Sequence, residues 1–185
     1  MATKDEIKGK LLENAKYDSG WIDVASELIY EYEYSESNLA NYTAEQLNIL
    51  LQANRDFNGD AAFVAMISNH ELNATQMQIL LTAKAKGVSN DDLLKCASPE
   101  IPYVKSNYVL NALVEGIDLT WCINEFSADQ IYEIMAGALS DKNIEYAKYA
   151  CKHIPADVMG LLRHALELGK DFEIELDGTQ VITIK

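Results

Sequence analysis

The chain has 185 residues, 49% of them hydrophobic and 24% charged, a balance that lets one compact domain bury most of its apolar surface. Its net charge is −14, with twelve acids against five bases in residues 1–60; such a field repels nucleic acid backbones and anionic lipid and favours a basic protein partner. Three cysteines without CxxC spacing exclude a disulfide framework, and with neither an apolar leader nor a run of about 18 apolar residues, the expectation is a soluble, cytoplasmic protein with no bilayer span.

Residues 4–17 and 20–34 read as two amphipathic helices. Ile7, Leu11 and Leu12 line the first, and Trp21, Val24, Ala25, Leu28 and Ile29 the second. They form an acidic N-terminal cap over residues 1–40.

Residues 41–170 carry a helix-start pattern that recurs five times, anchored at Gln46, Gln76, Lys105, Gln130 and Val158. Four residues before each anchor stands an apolar residue: Tyr42, Leu72, Ile101, Phe126 or Ile154. Three before stand Thr43, Asn73, Pro102, Ser127 and Pro155, all suited to a helix start. With Thr43, Asn73 or Ser127 accepting the first free amides and Gln46, Gln76 or Gln130 reaching back, three copies predict capping boxes. The seventh residue after the anchor is small: Ala53, Ala83, Ala112, Gly137 and Ala165, a spacing that lets a neighbouring helix approach closely. Gly87, Gly116 and Gly169, eleven after their anchors, predict helix stops. Short second helices are expected at 60–67, 91–97, 119–123 and 144–151, too short to be stable unless stacked.

In residues 171–185, apolar and acidic residues alternate through Asp171-Phe-Glu-Ile-Glu-Leu. Asp177-Gly178 and Val181-Ile-Thr-Ile-Lys185 follow, which predicts a β-hairpin. The expected fold is all-α: an α-solenoid-like stack of about five short helical hairpins with a small C-terminal β-hairpin.

The copies resemble repeats of the form Gln-Met-x-x-Ile-x-x-Gly-Leu-x-x-Gly in uncharacterised proteins of Gram-positive gut bacteria and their mobile elements. Gln76, Met77, Leu80, Ala83 and Gly87 match best, then Gln130, Ile131, Ile134 and Gly137. The seventh position departs from that form, being mostly alanine here. The resemblance implies a fold and carries no activity.

Catalytic chemistry is thinly supplied: three histidines, no glycine-rich phosphate loop, no HExxH and no GxSxG. No enzyme and no cofactor are expected. Cys151, His153 and His164 fall short of the paired ligand set of structural zinc, so no metal is expected. Cys96, Cys122 and Cys151 share a place in the second helices and read as small core residues, and His70 with Glu71 reads as a solvated loop.

Between Lys16 and Arg55 the chain has seven acids and no lysine or arginine. Asp23, Glu27 and Glu31 fall on one helical face, neighbours about 6 Å apart, close to phosphate spacing along a nucleic acid strand. The same row also reads as a solubilising face. Tyr30, Tyr32 and Tyr34 alternate with Glu31 and Glu33, and such aromatics either contact a partner or pack on the end of the stack. The candidate partner-binding residues are therefore Asp23, Glu27, Glu31, Glu33, Tyr30, Tyr32 and Tyr34. The first functional expectation is a non-enzymatic interaction protein, an adaptor or regulator using its helical-repeat surface. The second is an acidic inhibitor encoded by a mobile element, of anti-CRISPR or anti-restriction type, occupying the nucleic-acid groove of its target.

Overall fold

The computed structural model describes residues 2–141, 144–176 and 180–184. The chain divides into two compact units, Met1–Glu100 and Ile101–Lys185, at the boundary between the second and third copies, where the sequence predicts one continuous domain. The first unit holds α1 (Lys4–Leu12), α2 (Ser19–Tyr32), α3 (Glu36–Leu39), α4 (Ala44–Phe57), α5 (Ala61–Ile67), α6 (Ala74–Ala85) and α7 (Asn90–Cys96). The second holds α8 (Tyr103–Val114), α9 (Ala128–Ala138), α10 (Ala156–Glu167) and two strands, β1 (Phe172–Leu176) and β2 (Gln180–Ile184). Successive first helices pack side by side within each unit, α2 on α4 and α4 on α6 in one, α8 on α9 and α9 on α10 in the other. No described helix is long and apolar enough to cross a membrane.

Local chemistry starts these helices where the spacing predicts. Thr43, Asn73 and Ser127 side chains accept the backbone N–H of Gln46, Gln76 and Gln130 at 3.2, 2.9 and 3.2 Å. Each glutamine Oε1 accepts the cap residue's own N–H in return, at 2.7, 2.9 and 2.9 Å. Pro102 and Pro155 start α8 and α10 without a side-chain bond. Tyr42, Leu72, Phe126 and Ile154, the residues before the caps, are all buried.

The glutamines do more than cap. Gln46 Nε2 donates to the carbonyls of His70 and Leu72 at 3.1 and 2.6 Å, and Gln130 Nε2 to those of Lys152 and Ile154 at 3.1 and 2.7 Å. Gln76 Nε2 donates to Ser98 O at 3.1 Å. Leu72 and Ile154 each lie four residues before the next anchor, so one buried amide closes its own helix start and ties it to the chain entering the following copy. At neutral pH the amide does both tasks uncharged, accepting through its oxygen on one side and donating through its nitrogen on the other.

Helix ends follow the glycines. Gly87, Gly116 and Gly169 have φ of 93°, 81° and 73°, and the next residues, Val88, Ile117 and Lys170, donate back to the carbonyls of Ala83, Ala112 and Ala165 at 3.1, 2.9 and 3.0 Å. These acceptors are the seventh-position alanines, buried with Ala53 between helices. Gly137 differs for a reason in the structure. A Cβ there would lie 1.9 Å from the hydroxyl of Tyr149, a fully buried ring whose phenol donates to Glu133 O at 3.0 Å.

A second tie joins copies one and two. The Asp60 carboxylate caps α5 through Phe63 N at 3.0 Å, accepts the Asn90 amide at 2.8 and 3.1 Å, and pairs with Lys84 at 2.6 Å. Hydrogen bonding from Lys84, then from Phe63 N and Asn90, holds the Asp60 carboxyl down at about 2. Since its folded value lies below the unfolded value of about 3.9, this group contributes stability above that pH and loses it as pH falls toward 2. Asp60→Asn is expected to flatten the acid limb of the stability curve in that window. Urea unfolding at several acidic pH values checks it, and equal acid slopes for both proteins would contradict the linkage.

Four expectations need correction. The first helix stops at Leu12 rather than 17: beyond it Asn14 Oδ1 takes the Lys16 N–H at 3.2 Å, a local bond that competes with helix, and α2 starts anew with Asp18 accepting Trp21 N at 2.8 Å. The short helix α3 lies in a segment with no expected element. The second helices predicted at 119–123 and 144–151 are single 3-10 turns, Thr120–Cys122 and Tyr146–Lys148. In the former, Asp118 accepts the Thr120 N–H and hydroxyl at 2.8 and 2.7 Å, a local bond that competes with helix. Cys96 and Cys122 are buried, whereas Cys151 is half-buried and lies outside any helix. β1 and β2 pair antiparallel, Phe172 opposite Ile184; the predicted turn at Asp177-Gly178 lies outside the described residues.

Candidate functional site

The acidic row is not a row of free charges. Lys4 and Lys8, one turn apart on α1, pair with Glu27 (2.9 Å) and Asp23 on α2, and Arg55 of α4 pairs with Glu27 as well. The cations come from outside the cation-free stretch, which is why sequence separation hid them. Glu27 is only 20% exposed at its side chain. Hydrogen bonds from Lys4, then Arg55, hold its carboxyl below the usual glutamate range. Glu27 therefore joins α1, α2 and α4 rather than standing free on a solubilising face. Glu31 is exposed, as is Tyr30 at 41%.

Tyr32, Glu33 and Tyr34 have a different setting. They line a pocket of about 570 Å³ together with Asn38 and Tyr42 from the following segment and Asn54, Val64, Ser68 and His70 from the first repeat. The end of α2 aims them there. Glu33 closes the helix at φ 60°, the left-handed conformation that glycine fills in three other helices, and Tyr34 N donates to Leu28 O at 3.3 Å. Holding a side chain at such a φ costs about 1 kcal/mol.

The pocket wall is a hydrogen-bonded chain. Asn54 Nδ2 donates to Leu50 O at 2.8 Å and to the Tyr34 hydroxyl at 3.2 Å. The Ser68 hydroxyl donates to Val64 O at 2.6 Å, so it receives the Tyr34 hydroxyl at 3.3 Å. The Tyr42 hydroxyl donates to Ser68 O, and the Tyr42 ring meets His70 edge-on at 5.9 Å. Burial first, then the neighbouring Tyr34, pushes the Tyr42 phenol up to about 12, so it remains a protonated donor at neutral pH. Trp21, stacked on Tyr17 at 3.8 Å, fixes this loop by donating to Tyr42 O at 3.0 Å.

Three of the seven candidate residues thus meet in one concavity, and Asp23, Glu27, Glu31 and Tyr30 lie elsewhere on α2. Sequence reasoning missed Asn38, Asn54 and Ser68, placed Tyr42 only as a packing residue and His70 only as loop. A second groove of about 630 Å³ runs between α4 and α6, with Asn48, Ile49, Gln78 and Ile79 among its walls. Among the described residues, no group of three or more His, Cys, Asp or Glu side chains is placed to hold a metal ion. Comparison with protein-family models, curated proteins and solved structures gives no match for the chain.

Proposed function

We propose that the protein is a non-enzymatic interaction protein, an adaptor or regulator that holds a basic protein partner at the N-terminal edge of its helical repeats. The observation that carries this reading is the pocket in which Tyr32, Glu33 and Tyr34 converge with the first repeat. Aromatic side chains around a concavity are the usual anchors of protein recognition. Its setting in a chain of net charge −14 favours a basic partner.

The inhibitor reading asks for a free phosphate-like row. With Asp23 and Glu27 engaged by Lys8, Lys4 and Arg55, the row supports it less than the pocket supports the first reading. Full-length chain immobilised against a lysate of its source cells separates the two, with retained proteins read by mass spectrometry at low and high salt. The expected result is a defined basic protein, retained in the presence of competing DNA and lost with a Tyr32→Ala, Glu33→Gln variant. Displacement by DNA favours the inhibitor, and equal retention by the variant overturns the pocket as the binding site.

A further inference from the structure

We infer that the Tyr32–Glu33–Tyr34 pocket receives the guanidinium of an arginine side chain, presented by the basic partner proposed above; the choice of occupant rests on that reading, while the pocket's chemistry does not. The hydrogen-bonded part of the wall, made by Asn54, Tyr34, Ser68 and Tyr42, spends its protons inside the protein, while the Tyr32 hydroxyl, the Asn38 amide and the His70 ring line the cavity beside it. Both protons of Asn54 Nδ2 serve Leu50 O and the Tyr34 hydroxyl, the Tyr34 hydroxyl serves Ser68, the Ser68 hydroxyl serves Val64 O and the Tyr42 hydroxyl serves Ser68 O. Phenol and serine lone pairs are what these groups can still offer a guest.

Glu33 adds a carboxylate, exposed and without an ion-pair partner among the described residues, and neither lysine nor arginine lines the cavity. A guest that supplies many donors, carries positive charge and has a flat face to lay on tyrosine rings satisfies this wall. Guanidinium combines all three, with five donors in a rigid plane, whereas an ammonium offers three donors and no face. At about 570 Å³ the space is within the range that accepts a side chain with accompanying water.

The test titrates the full chain, its tyrosine rings labelled for NMR, with N-acetyl-arginine methylamide and with the corresponding lysine and citrulline compounds. Citrulline keeps the shape and loses the charge. The arginine compound is expected to shift the Tyr32, Tyr34 and Tyr42 ring signals saturably, the lysine compound to bind several-fold more weakly, and citrulline not to bind. Glu33→Gln is expected to weaken arginine binding about tenfold, as loss of one charge-assisted contact does, while backbone signals elsewhere stay in place. Glu45→Gln, at the α4–α6 groove, is expected to leave it unchanged. No saturable shift at these rings, equal binding of arginine and lysine, or indifference to Glu33→Gln would each overturn the inference. The outcome is separable from the proposed function: a captured partner whose binding depends on Tyr32 while the arginine compound fails removes the guanidinium and leaves the interaction reading standing.

Discussion

Gln130→Glu is expected to destabilise the second unit by about 3 kcal/mol at neutral pH, although the substitution preserves shape and keeps the capping acceptor. One carboxylate oxygen still takes the Ser127 N–H, but the other, in place of the amide nitrogen, turns its lone pairs toward the Lys152 and Ile154 carbonyls, where the amide now donates at 3.1 and 2.7 Å. Gln130 is 8% exposed, so water cannot take over. A buried charge left without a partner costs about 3–5 kcal/mol. The new carboxyl escapes by staying protonated, which raises its folded value above the unfolded value of about 4.3. Stability of the variant relative to the parent is then nearly retained below that pH and is lost as pH rises through it. Urea unfolding of both proteins near pH 4 and pH 7 reads this directly. A deficit independent of pH would mean that the amide does not face those carbonyls.

Gly137→Ala is expected to cost about 2–3 kcal/mol, the upper range for overpacking a filled core, even though alanine is the better helix former and stands at this position in the other four copies. The added Cβ meets the Tyr149 hydroxyl at 1.9 Å and its Cζ at 3.1 Å. The ring is enclosed, and its hydroxyl is anchored on Glu133 O at 3.0 Å. Burial pushes that phenol far above the ordinary tyrosine range, so ionisation offers no relief. Tyr149→Phe removes the closest atom and one hydrogen bond, at about 1 kcal/mol. The double variant is expected to be more stable than the sum of the single effects by at least about 1 kcal/mol, as coupled neighbours are. Additive losses in thermal or urea unfolding would show that the two residues do not collide.

What could be read from the sequence was what is local. Thr43 with Gln46, or Ser127 with Gln130, act over three residues, and Gly87, Gly116 and Gly169 act on their own φ, so helix starts and stops stand where the spacing put them. The other half of each glutamine was out of reach. Its carbonyl partners lie 22 to 26 residues away, and nothing in the local pattern distinguishes an amide that merely caps from one that also ties copies together. The second helices of copies three and four failed because short segments are decided by turn chemistry such as Asp118 on Thr120, not by apolar count. The same limit governs the site. Alternation marked Tyr32, Glu33 and Tyr34, yet their meeting with Asn54, Ser68 and His70 depends on α2 packing against α4. The ion pairs of Asp23 and Glu27 were out of sight because their cations, Lys4, Lys8 and Arg55, belong to other helices.

Hydrogen exchange of the full chain, free and in complex with a captured partner, tests the central claim most directly, since it reports where the partner sits without any substitution. The account predicts new protection at the end of α2, through residues 33–42 and along 64–70, the segments that build the tyrosine pocket. Little change is expected on the α4 and α6 faces that line the other groove. Protection confined to that groove or to the second unit, with the pocket segments exchanging as in the free protein, would contradict it.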